Sequence, residues 1–464
     1  MRIEKISFIE VKSPGAHIFS KLPIPRLGSV LLSTMLRDRG YRVKVFIEDV
    51  CAPDWSFVEN SDLVCISTIT STAIRAYEIA DRMRKLGITV IMGGAHPSFL
   101  PEESLQHSDY VVRGEGDHTL PELLDYMEKG RPAASSILGL SYRNASGEFL
   151  HNPDRPLLDD LDSLPEPDFS LIHGHKPFYL YPVSTSRGCP FNCRFCSVIT
   201  LFGRKYRFKS PEATIRELRN LNLSSREVVF FVDDNFAAHK ERTKDILRGM
   251  IAERMKFSWA AQVRTDVAKD PELLRLMADA GCSTLDIGFE SINPKTLEAF
   301  NKKQNLDEIV TCIKKVKDHK MSIHGMFVLG ADTDDVDTIR RTADFAMKLG
   351  LESVQFLMLT PLPGTPVFEE LKDSQRLLHT DWSRYDAHHV TFKPALMEPE
   401  TLHIETLKAM GKFYSWKYIL SHLAKLDMFY TVAGFYGKRA IKAALEEAKS
   451  YFDSIDMVSN TKKA

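Results

Sequence analysis

Residues 187–197, Arg-Gly-Cys-Pro-Phe-Asn-Cys-Arg-Phe-Cys-Ser, place Cys189, Cys193 and Cys196 in the spacing CxxxCxxC. Three thiolates this close together can hold zinc or an iron–sulfur cluster. Core packing does not account for them, because Pro190, Asn192 and Arg194 make the segment an irregular polar loop. Structural zinc takes four protein ligands, often as two spaced pairs. Cys51, Cys65, Cys282 and Cys312 are scattered and form no second pair, so a distant His would have to complete a zinc site. A 4Fe–4S cluster held by three cysteines keeps one iron open to a small molecule, which it can chelate and reduce.

The chain around this loop has 464 residues, more than one ordinary core, and predicts two or three domains. It is 44% hydrophobic and 27% charged, with a net charge of −1, so nonspecific nucleic-acid binding is not expected. Seven cysteines in this length do not form a secreted disulfide framework. No signal-peptide pattern opens at Met1, and no apolar run reaches the roughly 18–20 residues of a spanning helix. A reducing cytoplasm is the expected setting.

The first part of the chain, 1–150, alternates short apolar strands (5–11, 42–48, 62–67, 88–92, 109–113) with helices (27–39, 72–86, 118–129). This predicts a doubly wound parallel sheet, followed by a hairpin at 137–150. Ligands of such sheets sit at the carboxyl ends of the strands. There the chain places Ser67-Thr68, Gly93-Gly94-Ala95-His96 and Gly114-Glu115-Gly116-Asp117. These loops read equally well as tight strand-to-helix turns. Residues 151–180 are rich in Pro and Asp and read as a linker.

Residues 181–370 carry a second alternation. Strands are expected at 182–186, 228–232, 257–262, 284–289, 323–329 and 353–359, with helices after them. Six units fall short of the eight of a closed (β/α)8 barrel and predict a partial one. The cysteine loop follows the first strand. Asp233-Asp234-Asn235, Gln262/Arg264/Asp266, Glu290-Ser291 and Gly330 follow the next four, so polar groups gather on one mouth. Residues 371–464 are expected to be mostly helical, with an aromatic-rich tail.

Cys189, Cys193 and Cys196, with Phe195 before the last cysteine, resemble the signature of the radical S-adenosylmethionine superfamily. The resemblance covers about 180–370 and implies a partial (β/α)6 barrel. It also implies a 4Fe–4S cluster whose open iron chelates S-adenosylmethionine, and reductive cleavage to a 5′-deoxyadenosyl radical. The family's Gly-Gly-Glu-like motif after the second strand is replaced by Asp233-Asp234-Asn235. Asp234 then stands in for its acidic group, or caps a helix. Glu290 and Ser291 resemble the ribose or methionyl contact. Arg264 matches a methionine carboxylate, its alternative being an ion pair with Asp266. Gly325 resembles the glycine on the strand that passes the adenine.

A doubly wound domain ahead of such a barrel resembles the cobalamin-binding domain of the cobalamin-dependent radical subfamily. This implies cobalamin contacts from Ser67, Thr68, Gly93, Gly94, Ala95, His96, Gly114, Glu115 and Gly116. The Asp-x-His-x-x-Gly motif that supplies a lower cobalt ligand is absent, so that ligand is expected to be missing; His17 or His96 would be the residues to approach the corrin. The expected activity is methylation of an unactivated carbon of a small molecule, with a hydrophobic one suggested by the aromatic-rich tail. Flavodoxin or ferredoxin would supply the electrons. Cyclisation or oxidation of a lipid or tetrapyrrole is the alternative within the family. A non-enzymatic cobalamin or metal sensor is the alternative outside it, and the open three-cysteine site with a barrel behind it argues against that.

Overall fold

The computed structural model describes residues 2–15, 24–175 and 180–461, with the side chains of 456–461 outside the description. The chain divides into two compact units. The first comprises described residues 2–14, 24–190 and 197–213; the second comprises 15, 191–196 and 214–461.

The first unit is built on a seven-stranded sheet. Its strands are β1 (Lys5–Glu10), β2 (Arg42–Ile47), β3 (Leu63–Ser67), β4 (Thr89–Gly93), β5 (Tyr110–Val112), β6 (Leu140–Arg143) and β7 (Phe149–His151). Their order is β2-β1-β3-β4-β5-β6-β7. The first five are parallel and apolar on both faces, because helices such as Leu27–Asp38 and Ala73–Lys85 cover them. The expected hairpin appears as β6–β7 and extends the sheet in antiparallel sense. Strand order reverses between β1 and β3, the switch point where such sheets bind ligands.

Two short strands, β9 (Ser186–Arg187) and β10 (Arg207–Phe208), form an antiparallel ribbon in the first unit. The expected strand at 182–186 is therefore divided. β8 (Leu180–Val183) belongs to the second sheet, and Ser186–Arg187 leaves it to start the cysteine loop.

The second sheet runs β15-β14-β13-β12-β11-β8, six strands in sequence order. Here β11 is Val228–Phe231, β12 Ser258–Val263, β13 Cys282–Glu290, β14 Ser322–Leu329 and β15 Ser353–Met358. The six strands and intervening helices are those expected of a partial barrel. Helix starts follow local chemistry: Asp270 caps Leu273 N with Pro271 in the first turn, and Asn305 and Glu308 form a capping box. One face of each strand carries large buried side chains, among them Phe231, Trp259, Ile287, Phe327 and Phe356. The other face carries Gln262, Asp286, His324 and Ser353, successive register partners across β12 to β15. The C-terminal region forms helices Pro399–Phe413, Trp416–Ala424 and Met428–Thr461.

Candidate active site

In the first unit the carboxyl ends of β3, β4 and β5 are knit together. Thr68 N donates to Gly93 O (3.0 Å), and Thr68 is buried with its hydroxyl 2.7 Å from that of Thr72. Gly94 has φ +101°, and a Cβ there would lie 2.5 Å from Thr68 O, so only glycine fits. Ser98, unforeseen from the sequence, donates to Gly94 O (2.7 Å) and accepts from Gly114 N (2.9 Å). Ser67, Gly93, Gly94, Ala95 and Gly114 are partly exposed on these loops. Gly116 packs against Leu32, where a Cβ would approach to 3.2 Å.

Two expectations for these loops are corrected. His96 is fully buried and its Nε2 pairs with Tyr77 OH (2.9 Å), so its side chain faces the core and not a ligand. The Glu115 side chain is also buried, and its carboxylate accepts from Leu158 N (2.9 Å) and meets Arg207 Nη1 (2.8 Å) and Arg187 Nη1 (3.4 Å). Its role is taken up by arginines of the ribbon. His17 lies outside the described residues. One residue went unnoticed: Glu10, at the end of β1 beside the switch point, is buried and accepts from Arg26 N (3.2 Å). Burial pushes its pKa up to about 7, against the opposing pull of Arg26.

The ribbon holds the start of the cysteine loop. Asp117, in the first turn of helix Gly116–Lys129, accepts both arms of Arg187 (2.7 and 3.1 Å). Arg207 also donates to Leu158 O (2.7 Å) and Phe202 O (2.9 Å). Gly188, at φ +84°, leaves no room for a side chain, since a Cβ would stand 2.7 Å from Lys205 O. Cys189 N donates to Gly203 O (3.4 Å).

In the second unit the rest of the loop is pinned by residues 300–302. Arg194 N donates to Phe300 O (3.2 Å), Asn301 Nδ2 to Asn192 O (2.8 Å), and the Phe195 and Phe300 rings lie 4.8 Å apart. Cys196 N donates to Cys193 O (3.2 Å), a tight turn between the last two cysteines. Arg264 is buried, stacks 3.7 Å over Phe191, directs Nη1 at Cys193 Sγ (3.8 Å) and donates to Lys302 O. Its expected use as a carboxylate receptor is corrected accordingly: the guanidinium clamps the cysteine loop. No ion pair to Asp266 is present among the described residues.

Glu290 ends β13 at φ +62°, a conformation unusual for a residue with a side chain. Its carboxylate meets Lys302 Nζ at 2.6 Å with both groups buried. Gly288 makes the space, because a Cβ there would lie 2.5 Å from Glu290 Oε1. Ser291 is buried and its hydroxyl accepts from Asn293 N (3.0 Å). Asp234 is exposed, and surrounding protein together with Asp233 raises its pKa to about 6. At Gly325 a Cβ would lie 2.7 Å from Leu351 and 3.2 Å from Phe289, so the packing there requires glycine.

Sequence reading missed Lys302, Asp286 and His324. The polar run Asn301-Lys302-Lys303-Gln304 was a visible signal, with Asn301 and Lys303 at positive φ. Asp286 and His324 are polar residues inside apolar strands, Cα partners in the register. Burial pushes Asp286 up to about 7 and His324 down to about 4, and His324 Nδ1 lies 2.8 Å from Ser353 Oγ.

Comparison with known proteins places this geometry. The family model described as the radical SAM superfamily matches residues 183–346, and that of the B12 binding domain matches 19–124. An uncharacterised methyltransferase of Pyrococcus horikoshii is 32% identical over 91% of this chain and 93% of its own length. A bacteriochlorophyllide d C-12(1)-methyltransferase of Chlorobaculum tepidum is 32% identical over 78% of this chain and 76% of its own. The fold is shared with TsrM, a radical S-adenosylmethionine methyltransferase from Kitasatospora setae solved with cobalamin and a 4Fe–4S cluster. Its TM-score is 0.72 at 16% identity, covering 97% of this chain and all of that one (100%).

Proposed function

Because this chain belongs to the radical SAM superfamily, in the group with an N-terminal B12-binding domain, we propose that it methylates an unactivated carbon of a small-molecule substrate. The cofactors are those of that family: a 4Fe–4S cluster, S-adenosylmethionine and cobalamin. When bound, they supply one-electron cleavage of S-adenosylmethionine and a transferable methyl group.

The residues present fit the cluster. Three thiols stand in one loop whose backbone is held by Phe300 and Asn301. The observation that carries the reading is Arg264 Nη1 directed at Cys193 Sγ, a charged donor to a ligand sulfur. Such second-shell donors orient the ligand and tune the potential.

In this reading the paired Glu290 and Lys302 present charge to the polar ends of S-adenosylmethionine, with Phe195, Asp234 and Ser291 beside them. Ser67, Thr68, Gly93, Gly94, Ala95, Gly114 and Gly116 supply backbone to the corrin. Gln262, Asp286 and His324 face the substrate, and Asp286 holds a proton up to about pH 7. A flavodoxin or ferredoxin in a reducing cytoplasm supplies electrons; seven cysteines without a disulfide suit that setting.

The test is anaerobic turnover of reconstituted protein with methyl-labelled S-adenosylmethionine. It should form 5′-deoxyadenosine, and cell extract should yield a small molecule carrying the label. Cys193→Ala should form neither. Deoxyadenosine with no label in any product would move the reading to cyclisation or oxidation; no deoxyadenosine from cluster-loaded protein would end it.

A further inference from the structure

Eighteen large hydrophobic side chains are exposed among the described residues, and eight of them fall between Trp416 and Phe435, so this stretch is a patch and not scatter. Helix Trp416–Ala424 buries Ile419 and His422 and turns Trp416, Leu420 and Leu423 outwards. Helix Met428–Thr461 buries Tyr430 and Thr431 and turns Met428, Phe429, Val432 and Phe435 outwards. Both outward stripes repeat at i, i+4 and i+7. Each helix therefore has two apolar faces, and only one is used in packing.

The two helices form one hairpin. Gly434 lets them approach, since a Cβ there would lie 2.8 Å from Ile419, and the Trp416 and Phe435 rings lie 5.5 Å apart. Leu426, in the turn between them, is 83% exposed at φ +58°. Leu420 and Val432 are each 60% exposed.

The charges on this hairpin are mainly of one sign. Lys417, Lys425, Lys438 and Arg439 have no carboxylate partner among the described residues, and Lys438 Nζ stands 5.4 Å over Trp416. From 412 to 445 the sequence has one acidic residue, Asp427, which faces His422 at 3.4 Å. Apolar side chains interspersed with free cations match a bilayer surface with anionic headgroups, and tryptophan suits that boundary. Among the described residues no helix is long and apolar enough to cross a membrane, so a bilayer would be met by the hairpin's surface. A two-fold contact with a second copy would set the same unpaired cations against each other, which disfavours that occupant.

We propose that the 416–435 hairpin docks this enzyme on an anionic lipid bilayer. The inference is independent of the reaction catalysed. The full-length protein is sedimented with vesicles of phosphatidylcholine alone and with vesicles containing about 30% phosphatidylglycerol. Binding should be at least about ten-fold stronger to the anionic vesicles and should fall away near 0.5 M salt, roughly where screening removes the cation contribution. Leu426→Glu and Phe429→Ser should each abolish it while the circular dichroism is unchanged, since both side chains are exposed. Equal or absent binding to the two vesicle types overturns the proposal. So does a dimer in sedimentation velocity that Leu426→Glu dissociates, which assigns the surface to a second copy.

Discussion

Arg187 and Asp117 form a bidentate ion pair, at 2.7 and 3.1 Å, with both side chains largely buried. Arg187 stands two residues before the first cysteine, and Asp117 opens the helix after β5 of the doubly wound sheet. Within the first unit, the loop taken from the sequence as a ligand cradle thus also anchors the ribbon that starts the cysteine loop. Arg187 carries the fork that reads a carboxylate with two bonds, which lysine lacks.

Asp117→Asn should therefore impair the cysteine loop more than the corrin. Arg187 then keeps only the longer contact to Glu115 (3.4 Å), a loss of about 2 kcal/mol seen as a lower melting temperature of the apoprotein. Iron content after reconstitution should fall, while cobalamin retention, read from the absorption spectrum, stays near wild type. Loss of cobalamin with an intact cluster would contradict this account.

Glu290→Gln should destabilise the protein by roughly 3 kcal/mol, because it leaves Lys302 charged and buried. Glu290→Gln combined with Lys302→Met removes both charges and should recover most of that loss. Urea midpoints measure the recovery. Cleavage of S-adenosylmethionine should stay absent in the double variant if the pair presents charge to it; restored cleavage would make the pair purely structural.

Asp286 titrates with a sign that can be tested. Its pKa is raised by burial to about 7, above the usual carboxylate range, so between pH 4 and 7 the folded protein holds a proton that the unfolded chain has released. Stability from this group is full below about pH 4 and is lost as pH rises through about 7. Asp286→Asn cannot ionise, so it should be more stable than wild type at pH 8, by on the order of 2 kcal/mol after allowance for partial exposure, and by less at pH 5. Glu10 and Asp234 titrate in the same window but cancel in the difference between the two proteins. Paired thermal melts at the two pH values check it.

Gly94→Ala should be among the most damaging single-atom additions in the first unit. It combines a positive φ with a 2.5 Å approach to Thr68 O, and neither backbone can yield without breaking the Thr68–Gly93 hydrogen bond. A loss of about 3 kcal/mol and of cobalamin retention is expected. Gly40→Ala, where nothing lies within 4 Å of the Cβ position, serves as the control for positive φ alone.

The alternation of strands and helices was readable because each period has a covalent cause: side chains alternate along strands, and caps such as Asn305 and Asp270 start helices locally. The ligand loop was readable for the same reason, since three cysteines in eight residues are neighbours whatever the fold. Partners distant in sequence were not. Lys302 is a surface lysine by composition and becomes a buried counter-ion only because Gly288 and a shift of register at the end of β13 bring Glu290 to it. Nor was it readable that the missing side chain of Gly325 makes room for Leu351 and Phe289.

The sequence by itself determined the two α/β halves, the three-thiol loop and its family, because these rest on local periodicity and on spacing along the chain. Only the tertiary structure decided that Arg264 serves Cys193, that Glu115 and Asp117 hold Arg187 and Arg207, and that His96 turns inward. Those outcomes depend on which of two faces a side chain takes and on which distant charge can neutralise it once both are buried, and neither is set until the chain has closed on itself.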